Sequence, residues 1–295
     1  MSLLVIAICL IAERFLLEYQ HLREFLWLAR YNQWLERQTL AGWLCRGIPG
    51  LLFLLLPPVL LTGLLQDLLA TGLFGLPGLL FAGLILLYTL GPRDLDRQIE
   101  RYAQAAELDQ EAHLQEIAGE IMRDTPPPRE PARSKGVAEC ALQQANQRLF
   151  AVLFWFVLLG PMGAMLYRIA SLLPDLERGQ QDPDFHFNAK QLMFILDWVP
   201  ARLVALCYAV AGSFEDALYG WRSCAEERSH EFGESNSATL ICTGSGAIRL
   251  TTLLDETEEG LRDYSHLPRA AMALVWRSLV VWLLVLAFLS IAGLV

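Results

Sequence analysis

The chain has 295 residues, 54% of them apolar, and carries 23 Lys/Arg against 32 Asp/Glu for a net charge of −9. Apolar residues gathered in blocks, with a mean hydropathy of +0.36, exclude a soluble domain built round one core. They predict an all-α, polytopic integral membrane helical bundle with amphipathic cytoplasmic helices, whose first partner is the lipid bilayer. An acidic balance carried by loops excludes a nucleic acid partner, which needs a concentrated basic face.

Residues 1–92 read as a short N-terminal span, an amphipathic surface helix and a transmembrane hairpin. The apolar run at 2–12 is short for a span unless 15–17 extend it past Glu13 and Arg14. It lacks the basic start and small-residue cleavage site of a signal peptide, so it is expected to be retained. In residues 18–46, Arg23, Arg30 and Arg37 recur among Phe25, Leu26, Trp27, Trp34 and Trp43. That pattern suits a helix lying on the membrane, and equally a packed helix with solvated arginines. Residues 47–66 and 68–92 are charge-free, with Pro57 and Pro58 predicting a kink in the first.

Residues 93–148 form a cytoplasmic helical region. An apolar stripe (Leu95, Ile99, Tyr102, Ala106, Leu114, Ile117, Ile121) predicts one long helix over 93–124. The proline-rich stretch 125–131 then acts as a stiff linker, and a second helix covers 135–148. Residues 149–213 are the central transmembrane pair. The first member, 149–167, has nineteen uncharged residues between Arg148 and Arg168, about 28 Å as a helix. The second, 191–213, is interrupted by Asp197, Pro200 and Arg202. Residues 214–295 make an acidic cytoplasmic region and a last span at 278–295.

With six spans, 18 Lys/Arg fall on one side and three (Arg168, Arg178, Lys190) on the other. This places 92–148 and 213–270 in the cytoplasm of a multi-pass membrane protein, which the resemblance described below implies is a bacterial inner-membrane protein. The six cysteines show no metal-ligand spacing and are expected to be free thiols. The patch CTGSGAIRL (242–250) reads as a plain turn more readily than a phosphate cradle, since it lacks Gly-Lys-Ser/Thr. DPDFH (182–186) reads as a solvated loop. No catalytic residue, metal ligand or cofactor is assigned.

The candidate ligand-binding residues are Glu139, Tyr167, Arg168, Asp197 and Arg202. Ionisable groups at membrane depth are costly and face a bundle interior or a partner. Asp197 and Arg202 flank Pro200, and are expected to satisfy each other or to meet a charge such as Glu139 or Arg168.

AVLFWFVLLGPMGAMLYR (151–168), with Glu139 upstream and DWVPARLVAL (197–206) downstream, resembles the AmpE proteins. These are bacterial inner-membrane proteins associated with β-lactamase induction and similar to adenosylcobinamide-phosphate synthases (CbiB/CobD). The synthases carry a Glu-Ser-Val-Ala-Glu-Asn…Asp-Gly stretch before the shared LFW. Aligned on it, the first Glu falls on Glu139, the second Glu and the Asn on Gln143 and Gln144, and the Asp on Gln147. ERFLLEYQHL (13–22) and SLLP (171–174) replace two further synthase motifs. An ATP-dependent amide ligation needs carboxylates for Mg²⁺. The resemblance therefore implies a non-enzymatic sensor or modulator in peptidoglycan recycling and β-lactamase induction. A cell-wall fragment or nucleotide would be its ligand, and a protein of the induction pathway its partner. The alternative is a membrane-embedded ATP-dependent ligase of the cobinamide-phosphate synthase type.

Overall fold

The computed structural model describes residues 2–15, 25–37, 47–70, 76–108, 110–176, 182–227, 235–259 and 264–292. Among them there is helix and no strand, in keeping with the all-α membrane class. The remainder of the surface helix expected over 18–46, together with Cys45, lies outside the described residues. Two compact units form: Met1–Leu90 with Ala151–Asp197 and Ala292–Val295, and Gly91–Phe150 with Trp198–Ile291.

The first unit holds α1 (Ser2–Phe15), α2 (Leu26–Arg37), α3 (Gly47–Ala70), α4 (Leu76–Thr89), α8 (Ala151–Leu159) and α9 (Pro161–Leu172). The start of α10 (Pro183–Ala211) also belongs to it. Proline inside a helix removes one N–H and leaves the carbonyl four residues earlier without its donor. Pro57 of α3 frees the Phe53 carbonyl, and the Tyr31 hydroxyl of α2 donates to it at 3.0 Å. Pro200 of α10 frees the Leu196 carbonyl, and Trp155 Nε1 of α8 donates to it at 3.2 Å. Both freed carbonyls are thus satisfied by an aromatic side chain from another helix, the requirement an apolar surrounding imposes. α2 buries Leu28, Asn32 and Leu35 and exposes Trp27 and Trp34.

The central span expected at 149–167 is not a single helix. A π-helical turn at Asn146–Phe150 leads into α8, and the chain breaks at Gly160 (φ +67°) before α9 begins on Pro161. Gly160 takes the left-handed conformation that other residues resist. A side chain at Gly163 would collide with the Trp155 carbonyl, eight residues back, so the two helices fold against each other. α7, the π-turn and α8 run on without a break, and the uncharged part, 149–159, is about 16 Å long as a helix, short for a bilayer crossing. The Gln66 side chain of α3 accepts from the Met162 backbone N–H at 3.2 Å, closing the first turn of α9. Gly63 makes room there for Met162.

The second unit holds α5 (Pro92–Glu107), α6 (Glu111–Met122), α7 (Ala132–Ala145), α11 (Phe214–Glu227), α12 (Ser235–Ala247), α13 (Leu250–Glu259) and α14 (His266–Ile291), with the rest of α10. The long helix expected over 93–124 is two helices, α5 and α6. In the CTGSGAIRL patch the expected turn is confined to Ile248 and Arg249, and 242–247 form the end of α12. There Gly246 sits against the Asp216 carbonyl, as Gly220 of α11 does against the Cys242 carbonyl, so the two backbones meet directly. The free-thiol expectation fails for two of the described cysteines: Cys224 and Cys242 are paired sulfur to sulfur, with Cα atoms 6.3 Å apart. This helix contact makes that pairing sterically available, which spacing in sequence could not reveal.

α14 starts twelve residues before the predicted span at 278. Arg269 binds Glu100 at 2.9 Å and also Glu107, and Trp276 Nε1 donates to Asp96 at 3.2 Å, all on α5. Among the described residues, three helices are long and apolar enough to cross a membrane: Gly47–Leu69, Pro183–Ala211 and His266–Ile291. The stretch Pro77–Thr89 is apolar and shorter.

Candidate functional site

In the first unit, the α8–α9 hairpin grips α10 at consecutive residues, Trp155 at Leu196 and Tyr167 at Asp197. Asp197 therefore sits at the proline kink, where the helix has already lost a backbone hydrogen bond. The Tyr167 hydroxyl donates to Asp197 Oδ1 at 2.6 Å. Tyr167 is fully buried and Asp197 is 8% exposed. A buried O–H···O bond this short ties the two helices firmly at that point. It fixes the carboxylate as an acceptor pointing from α10 toward α9. Next in sequence, Arg168 lies with its guanidinium 5.4 Å from the centre of the Phe25 ring.

Glu139 and Arg202 belong to the second unit. Glu139 has Lys135 one helical turn away at 3.9 Å. Arg202 donates to the Trp198 carbonyl at 2.8 Å and to Asn236 Oδ1 at 3.0 Å, and lies 4.1 Å from the centre of the Trp198 ring. The five candidates thus form two groups: Tyr167, Arg168 and Asp197 in one unit, Glu139 and Arg202 in the other. Asp197 thus accepts from the Tyr167 phenol, and Arg202 meets an amide, a carbonyl and an indole.

Close to Glu139, the glutamines of α7 act as ties between helices. Gln143 donates to Ser237 Oγ at 2.9 Å, and Gln144 to the Ile121 carbonyl. Burial, with the charge of Glu139 added, pushes the Cys140 thiol up to about 11, which keeps it protonated at neutral pH.

Sequence reasoning missed the most buried charge in the second unit. Arg133 is 1% exposed and binds Glu111 with both terminal nitrogens (2.8 and 3.0 Å), Glu130 through Nε (3.0 Å) and Gln115 (3.1 Å). Tyr102 completes the network, donating to Glu130 at 2.9 Å and lying 2.9 Å from Ser134 Oγ. Burial, reinforced by Glu130, pushes the Tyr102 phenol up to about 12. Arg133 three residues after Glu130 was the one local signal; its partner Glu111 comes from across the linker. Among the described residues, no group of three or more His, Cys, Asp or Glu is placed to hold a metal ion.

Apolar helices long enough to span, proline kinks satisfied by side chains and a buried carboxylate define a polytopic helical membrane protein. The chain matches the family model described as CobD/Cbib protein over residues 6–256 and belongs to that family. The "Cobalamin biosynthesis protein CobD" of Stutzerimonas stutzeri (strain A1501) is 30% identical over 263 residues, 84% of this chain and 83% of that protein. The protein of the same description from Chromobacterium violaceum is 30% identical over 56% of this chain and 52% of its own length. "Protein AmpE" of Shigella flexneri is 26% identical, over 75% of this chain and 76% of its own. No solved structure gives a significant match. The AmpE resemblance is thus the more distant of the two kinships, and the family is CobD/CbiB.

Proposed function

We propose that the chain is a CobD-type membrane protein that acts in cobalamin biosynthesis, at the amide-forming step of the cobinamide-phosphate synthases. Its membership of the CobD/CbiB family, through most of its length, carries this reading. In it, Tyr167 holds the Asp197 carboxylate as an oriented acceptor for a substrate group. Arg202, steadied by Asn236, offers a cation within its own unit. A nucleotide with Mg²⁺ would supply the driving force. That ion usually takes one or two protein carboxylates and completes its shell with phosphate and water.

A second reading, the AmpE-like modulator of β-lactamase induction, is favoured by one observation. Gln143 and Gln144, which stand where the synthases carry Glu and Asn, donate side-chain hydrogen bonds to Ser237 and to Ile121. They serve as helix ties and offer a metal no charge. The same experiment addresses both readings. The intact gene is introduced into a strain lacking its cobinamide-phosphate synthase, and growth that depends on cobalamin is scored without added cobinamide. Growth supports the ligase. No growth from protein that is present in the membrane, together with altered β-lactamase induction on deletion in the native host, supports the modulator.

The eight Lys/Arg of 92–148 support a cytoplasmic position for that stretch, and the Arg269–Glu100 bridge supports its sharing a side with the start of α14. Cys introduced at Gly119 should then resist an impermeant periplasmic thiol reagent.

A further inference from the structure

In the first unit, a groove of about 500 Å³ lies along the contact of α1 with α4. That is within the ~300–1,000 Å³ range of small-molecule sites. Its walls are Val5, Ile8 and Cys9 of α1 and Leu80, Leu84 and Leu87 of α4, with Gly83 at the back. Gly83 sets the depth, since only Cys9 Sγ and a Val5 methyl lie within 4 Å of where its side chain would stand. One flank is open, for Ile8, Leu80 and Leu84 are 52%, 71% and 64% exposed. Exposed leucines and an isoleucine on that flank are side chains that a bilayer would cover.

One end of the groove is chemically different. Positions four apart share a helix face, so Tyr88 prolongs the Leu80–Leu84 stripe by one turn. There the Trp27 indole donates to the Tyr88 hydroxyl at 2.8 Å. The Phe25 ring packs on Tyr88 with centroids 4.5 Å apart, and Arg168 closes the group over Phe25. Hydrocarbon walls that end in tryptophan and tyrosine tips and a guanidinium match an amphiphile with an anionic head.

We propose that this groove is a phospholipid site, with one acyl chain lying between α1 and α4 and the phosphate at the Trp27–Tyr88–Arg168 end. Within a bilayer a chain gains nothing by leaving other chains for an apolar wall, because lipid tails are as apolar as leucine. Selectivity therefore comes from the head, and Arg168 is the residue that supplies charge.

The full chain, purified in a delipidating detergent, tests this by native mass spectrometry and phosphate assay. One phospholipid should stay with each wild-type chain. Leu80→Trp and Leu84→Trp, both at exposed positions, should close the groove and release it, as should Gly83→Phe. On exchange with vesicles, wild type should prefer phosphatidylglycerol to diacylglycerol. Arg168→Gln should lower that preference by about tenfold, the worth of one charge-assisted bond, while diacylglycerol uptake stays. Complete delipidation of wild type would overturn the site. So would equal retention by folded Leu84→Trp protein, which would mean annular lipid only. A preference that survives Arg168→Gln would overturn the assignment of the head.

Discussion

Arg133 in the second unit and Asp197 in the first are both buried ionisable groups, and the hydrogen bonds they make differ in kind. Arg133 recruits two carboxylates and an amide, one of them from Glu111, whose side chain is largely exposed. Asp197 has a phenol at 2.6 Å, supplied by a helix whose neighbours are apolar. Where a polar face is at hand, a buried charge can be met by an opposite charge still in contact with water. Inside a helical bundle a neutral hydroxyl donor adds a hydrogen bond without adding a charge that must be desolvated. The comparison also separates roles: the Arg133 network is closed on itself, whereas Asp197 sits at an opened helix turn.

The largest effect should come from breaking the closed network. Arg133→Ala should cost about 3 kcal/mol, the low end for removing one partner of a buried pair, because Glu111 regains water. Unfolding in mixed micelles measures it, and a loss below about 1 kcal/mol would reduce the network to surface pairing. Tyr167→Phe should cost about 2 kcal/mol, the value of a hydrogen bond to a charged group. In a cycle with Asp197→Asn the double variant should lose less than the sum of the singles; strict additivity would dissolve the pair.

Trp155→Phe tests the kink beside Asp197. It should cost about 1–2 kcal/mol by stranding the Leu196 carbonyl. In a Pro200→Ala background, where the substituted residue offers that carbonyl a backbone N–H, the cost should vanish. Persistence of the cost there would show that the indole acts by packing alone. The smallest effect concerns pH. The Arg133 guanidinium holds the Glu111 carboxyl below its ordinary value. A depressed carboxyl adds stability above its unfolded pKa, near 4.3, and loses it as pH falls through the folded value. Stability should drop on acidification below that point, and Glu111→Gln should flatten the drop. An unchanged acid limb in that variant would assign the loss to other carboxylates.

How far the sequence could be read depended on what each segment had to satisfy. The run at 47–66 announced a membrane helix, and Pro57–Pro58 announced its kink, because hydrophobic length and a missing N–H are local properties. Nothing local tells that Tyr31 answers Pro57, or that Trp155 answers Pro200. Those donors are 26 and 45 positions away in the chain and are brought up by packing. The five candidate residues were legible as costly charges and polar groups in apolar surroundings, but not their division between two units.

The sequence by itself determined an all-helical membrane protein, its apolar blocks, its basic asymmetry and a family resemblance carried by 151–168 and 197–206. Tertiary structure alone decided that 149–167 is a hairpin. Its nineteen uncharged residues satisfy the length rule for a span, but a left-handed Gly160 before Pro161 turns the chain back. Hydropathy records how apolar a segment is, and the turn depends on one backbone angle and on Gln66 waiting to cap α9. Asp197 likewise obtained Tyr167 because that hairpin meets α10 at its kink.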